Sequence, residues 1–253
     1  MEQNPVTEGS LGAPIIGARI EEQAVSRPKL VAPLWHTWAF LFLYLVPLSY
    51  WLPLKKIFPD LEHYNLSLRY TLLLGFQWIF FLVLLLGLRT RGTRVRELIG
   101  VGWHSWKDFS RDMKLGIALV AWNFLVVIIV VIILVMVLRL GHSTPDHLAP
   151  HTWIDLLGWI PIACTAGFTE EVIFRGYLHR QFHALTGSPR VALIAQAALF
   201  SLAHGFDQSM ASLVAKFIMG LSFGFLAISR KSLLPGILGH ACQDGLLGIL
   251  LVA

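Results

Sequence analysis

Charge is what this sequence has least of. Of its 253 residues only 14% are Asp, Glu, Lys or Arg, while 56% are hydrophobic and the mean hydropathy is +0.66. Soluble domains are about 25% charged, so an ordinary soluble globular fold is excluded and a compact bundle in lipid is implied. Cysteine is nearly absent too. Cys164 and Cys242 both lie in apolar runs, which excludes a disulfide framework and any CxxC metal motif. There is no HExxH, so the usual zinc-peptidase helix is missing. No internal repeat of about 20–50 residues is visible. Residues 1–30 lack a long apolar core and mix Pro, Gly and both charges. They read as a disordered cytoplasmic tail, not a signal peptide.

Apolar runs supply the architecture. A bilayer crossing needs about 20 apolar residues. Residues 34–54, 70–88 and 115–138 carry no charge. Further helices are expected at about 153–169, 190–206, 210–229 and 233–252, each with polar residues inside it. The fold expected is all-α, a polytopic membrane bundle of about seven transmembrane helices. Residues 31–150 read as lipid-facing scaffold and 151–253 as a bundle with a polar interior.

The net charge of +5 is concentrated in one connection, where Arg89, Arg91, Arg94, Arg96, Lys107, Arg111 and Lys114 stand. Such a cluster marks a cytoplasmic loop, not a nucleic-acid surface, so no nucleic-acid partner is expected. Alternation from that loop puts residues 139–152 outside, 175–190 inside and the N-terminus in. Lys55, Lys56 and Arg69 sit awkwardly on the outside in this topology.

The polar residues of the second half carry the chemistry. Glu171 and Arg175 are spaced i, i+4 and can pair, which a structural salt bridge at the membrane edge would explain. Glu170 is rotated about 100° away, with Phe174 and no cation at i+4. It needs a distant partner or a water. FSLAH, residues 200–204, ends an apolar run with His204, and HACQD, residues 240–244, puts His240 and Asp244 on one face. Each is costly in lipid unless they share a polar cavity. A carboxylate and a histidine around a water can hydrolyse an amide. The same residues could instead hold zinc or relay protons in a transporter. GLSFG, residues 220–224, matches GxSxG, but that pattern needs a strand-to-helix elbow. Within a helix it reads as GxxxG packing. His142, His147 and His151 fit a solvated loop.

EEVIFRG, FSLAH and HACQD together resemble the EExxxR, FxxxH and HxxxN/D motifs of the CPBP family, which joins CAAX prenyl proteases with bacteriocin-processing and immunity proteins. The resemblance covers about residues 150–252. It implies an intramembrane endopeptidase that cuts a membrane-associated peptide or protein, prenylated or bacteriocin-like, in a multi-pass prokaryotic inner-membrane protein. It makes Glu170 the general base, with His204, His240 and Asp244 the other catalytic residues. Glu171, Arg175 and Phe200 take supporting places. It implies no cofactor and no metal. The alternative is a zinc enzyme with Glu170, His204 and His240 as ligands, or a non-catalytic immunity or transport protein. Where the prenyl-protease branch has Asn, this chain has Asp244. An ionised Asp cannot donate to an oxyanion, so Asp244 is protonated, orients His240 or binds a metal.

Overall fold

A computed structural model describes residues 28–49, 66–137, 139, 149–204 and 209–253. The expected tail lies almost wholly outside the described residues, as do Lys55, Lys56, His142 and His147. The described residues are helical and contain no strand, only an isolated bridge between Gly100 and Ser232. The helices are α1 (Leu34–Ser49), α2 (Leu66–Arg89), α3 (Val95–Ile99) and α4 (Trp106–Ile132, continued by a π-turn Ile133–Val137). Then come α5 (Asp155–Glu170), a π-helical segment (Glu171–Leu178), α6 (His179–Thr186), α7 (Pro189–Leu202), α8 (Met210–Arg230) and α9 (Leu234–Val252). Among the described residues five helical stretches are long and apolar enough to cross a membrane: 66–89, 106–137, 155–186, 210–230 and 234–252.

Local chemistry sets the boundaries. Ser105 caps α4, its Oγ accepting from the Asp108 amide, while Asp108 Oδ2 accepts from the His104 amide. This reciprocal arrangement satisfies donors that a helix start leaves open. Ser188 followed by Pro189 starts α7, and Ser209 starts α8. Nothing interrupts the chain between Asp155 and Gly187. The helix expected at 153–169 therefore runs on through the π segment and α6 to Thr186, and stops where Gly187 takes φ +71°. Pro161 is accommodated inside α5, as membrane helices allow.

Packing places α9 at the centre. Its Gly239 meets Gly116 of α4, where a Cβ at 116 would fall 3.0 Å from the Gly239 nitrogen. On another side a Cβ at Gly167 of α5 would fall 2.7 Å from the Ala241 nitrogen. Backbones this close hold His240, between those two contacts, in a narrow seat. The start of α9 is clamped from below. Leu233 N donates to Ile99 O at 2.8 Å and Val101 N to Lys231 O at 3.1 Å. Beside this clamp Arg230 pairs with buried Asp112 at 2.9 Å, and Trp103 Nε1 donates to Asp112 Oδ2 at 3.1 Å. The long rod is tied to α1 through Tyr177, whose hydroxyl lies 3.0 Å from both His36 Nδ1 and Thr37 Oγ1.

Candidate active site

Glu170 and Glu171 are chain neighbours with different surroundings, and the backbone between them explains how. Glu170 is the last residue of α5, and Glu171 opens the π segment. The Glu171 amide bonds to Phe168 O, three residues back, whereas the His179 amide bonds to Phe174 O, five residues back. This change of winding occurs across the EExxxR motif, and π-turns within helices are frequent at functional sites.

Glu171 is fully buried and turned inward. Its Oε1 lies 3.2 Å from Arg175 NH1 and 3.0 Å from His240 Nδ1. A carboxylate only accepts, so His240 Nδ1–H is the donor, and the ring presents Nε2 to the other side. The second oxygen of Glu171 sits over Gly236, where a Cβ would come within 3.0 Å. The pairing of Glu171 with Arg175 therefore exists as its spacing suggests, but it forms one half of a three-residue contact that also aims an imidazole.

Arg175 is equally buried. Its guanidinium makes no hydrogen bond among the described residues. It is held by the Glu171 charge and by rings, with the guanidinium carbon 4.2 Å from the Phe200 centroid, 5.3 Å from Phe223 and 5.9 Å from Phe174. A cation over aromatic faces gains attraction that lipid cannot offer. Phe200 does more than flank. Its ring also meets His204 at 4.7 Å and His240 at 6.0 Å between centroids.

The open side belongs to Glu170 and Asp244, whose side chains are 17% and 28% exposed. His240 Nε2 faces both, at 3.9 Å from Glu170 Oε2 and 3.6 Å from Asp244 Oδ2. Glu170 Oε2 has no hydrogen-bond partner among the described residues. Asp244 is fixed through its backbone, its carbonyl accepting from Trp159 Nε1 at 2.8 Å. His204 Nδ1 lies 2.7 Å from the Phe200 carbonyl, which makes Nδ1 the protonated nitrogen.

The structure thus brings Glu170, Glu171, Arg175, Phe200, His240 and Asp244 into one cluster, with His204 joined to it through Phe200. The residue that orients His240 at Nδ1 is Glu171, while Asp244 stands at the opposite nitrogen. Among the described residues no group of three His, Cys, Asp or Glu side chains that could hold a metal ion is found. Phe223 and Trp159 are parts of the site that motif spacing did not single out. Phe223 lies inside GLSFG, whose Ser222 Oγ donates within its own helix to Ile218 O at 3.0 Å. Gly220 of the same stretch packs on α7, where a Cβ would fall 2.9 Å from Ala197 Cα. That stretch is a packing motif whose one aromatic happens to face the site.

Residues 151–246 match the model of the type II CAAX prenyl endopeptidase Rce1-like family. The match contains all three motifs and every residue of the cluster, and it agrees with the resemblance carried by EEVIFRG, FSLAH and HACQD. No curated protein and no solved structure matches the chain.

Proposed function

We propose that this chain is an intramembrane endopeptidase of the CAAX-protease type, which hydrolyses a peptide bond of a membrane-associated substrate with water activated by Glu170. The observation that carries this reading is the placing of Glu170 Oε2, which has no hydrogen-bond partner among the described residues, 3.9 Å from His240 Nε2. A separation beyond direct hydrogen bonding between two polar groups is where a bridging water belongs. Glu170 takes a proton from that water, and the oxygen attacks the scissile carbonyl. The carbonyl electrons move onto its oxygen, which His240 Nε2–H faces while Nδ1–H stays on Glu171. When the tetrahedral adduct collapses, the C–N bond breaks and Glu170 returns its proton to the leaving amine. Arg175 and Glu171 position His240, and His204 completes the polar wall behind Phe200. We take the reaction to run without metal or other cofactor. Its substrate is a prenylated or bacteriocin-like peptide, and the enzyme sits in a prokaryotic inner membrane with its N-terminus inside.

The test is Glu170→Gln in protein reconstituted into vesicles with a membrane-tethered reporter peptide. Gln keeps the shape and cannot accept the proton. Cleavage should fall about 10²–10⁴-fold with an unchanged melting temperature. Undiminished cleavage would remove Glu170 as the base.

A further inference from the structure

At one end of the bundle, three cations from three separate elements line a cavity of about 450 Å³: Lys29 before α1, Arg91 after α2 and Arg180 in α6. Thr93 and a single carboxylate, Glu97, complete the polar rim. We propose that this cavity is a binding site for the phosphate headgroup of an anionic membrane lipid. It is separate from the Glu170–His240 cluster.

The walls are built rather than accidental. Gln181, fully buried, accepts from the Val31 amide at 2.7 Å and the Ala32 amide at 3.3 Å, and donates to the Ala32 carbonyl at 3.1 Å. This fixes the segment that carries Lys29 beside the helix that carries Arg180. One nitrogen of Arg180 donates to the Leu98 carbonyl at 3.2 Å, which orients the guanidinium and leaves further N–H groups for an anion. Lys29 and Arg91 form no ion pair among the described residues.

Position selects a lipid over a dissolved anion. Arg91 lies two residues past the end of the apolar helix α2, and Lys29 five residues before the start of α1. Arg91 thus follows directly on a helix long and apolar enough to cross a membrane, at the level where headgroups begin, and Lys29 shares its cavity. A volume of about 450 Å³ is of ligand-pocket size, and basic pockets between helices at this level recognise lipid phosphates. Three cations against one carboxylate suit a single phosphodiester. The site also brings together residues expected in the tail, the basic loop and the 175–190 segment, so all three lie at the same end of the bundle.

The experiment is native mass spectrometry of the full chain in neutral detergent, titrated with dioctanoyl phosphatidylglycerol, dioctanoyl phosphatidylcholine or inorganic phosphate. Phosphatidylglycerol should bind in preference to the other two. The double variant Lys29→Gln with Arg91→Gln should weaken that binding roughly thirtyfold, from about one kilocalorie per cation near the surface. Arg96→Gln with Lys107→Gln removes the same charge from exposed positions outside the cavity and should change binding by less than about threefold. Equal losses in the two double variants would reduce the effect to general surface charge and overturn the site, as would no loss in either. Inorganic phosphate binding as tightly as the lipid, with the same sensitivity to Lys29 and Arg91, would overturn the lipid assignment. Melting temperatures of both double variants should equal that of the parent, and a lower value for the cavity pair alone would make these residues structural.

Discussion

The helix α4 with its π-turn and the rod formed by α5, the π segment and α6 are each 32 residues long and follow opposite rules. In its most apolar 18-residue window the first is the more apolar, yet only 11% of that window is buried in the protein, against 50% for the second. In water the more apolar helix would be the inner one. Here the order is reversed, because lipid accepts apolar side chains as readily as a protein core does. Polar and charged groups are what must be enclosed. Glu171, Arg175 and Gln181 of the rod are buried, whereas Leu125, Ile128 and Met136 of α4 are more than half exposed. The one polar residue in the middle of α4 obeys the same rule. Asn123 is buried and donates to Gln243 Oε1 at 3.1 Å.

That contrast can be broken from either side. The largest effect is expected for Arg175→Ala, which strands Glu171 and loosens His240. Removing one partner of a buried pair costs about 3–5 kcal/mol, so the purified variant should show a clearly lowered melting temperature along with lost cleavage. A variant of parental stability without activity would move Arg175 from a positioning role into contact with substrate. Next comes the converse change, Leu125→Arg on the exposed face of α4. A charge introduced at a helix centre costs about 2.5–3.5 kcal/mol of insertion, and membrane-inserted yield measured by fractionation should drop accordingly. Normal yield would mean that this face of α4 is not turned to lipid.

Asp244→Asn should act more mildly, because Asp244 lies on the open side and an amide supplies a donor where the carboxylate cannot. Cleavage by the reconstituted variant should stay within about tenfold of the parent, a difference of roughly 1.4 kcal/mol. Metal analysis run in parallel decides the zinc alternative: stoichiometric zinc in the parent, lost with activity in this variant, would overturn the metal-free reading. The smallest effect belongs to Leu125→Met. A volume-conserving apolar swap on a lipid-exposed surface should move the melting temperature by an amount equivalent to less than about 0.5 kcal/mol. A larger shift would reveal a protein contact at that face.

Several of these features were open to reading from residues alone. The i, i+4 spacing of Glu171 and Arg175 gave their pairing, and the apolar runs expected at about 190–206 and 210–229 correspond to α7 and α8. The uncharged runs gave helices α1, α2 and α4; the run at 34–54 starts where α1 does and ends outside the described residues, while α2 and α4 begin at Leu66 and Trp106, ahead of the runs at 70 and 115. The helix expected at 153–169 stops at the charged stretch, because charge reads as the end of a membrane span. In the folded chain Glu171 and Arg175 satisfy each other and His240, so the helix passes through them. Phe223 was invisible as a site residue, since an aromatic in an apolar helix carries no mark of what its ring faces.

What the sequence by itself determined was location, helix content and the inventory of reactive groups. Low charge, long apolar runs and the order of EEVIFRG, FSLAH and HACQD all follow from local composition and spacing. Only the tertiary structure decided that Glu171 rather than Asp244 holds Nδ1 of His240, across 69 residues of chain. It also decided that Glu170 faces the open side, and that Lys29, Arg91 and Arg180 meet around one cavity. The reason is physical. Helical periodicity fixes which residues of one helix share a face. In a bilayer, though, both the outside and much of the inside are apolar, so the pattern along a helix does not reveal its rotation against its neighbours. That rotation is set by backbone contacts such as Gly116 on Gly239 and Gly167 on Ala241, which exist only once the helices have packed.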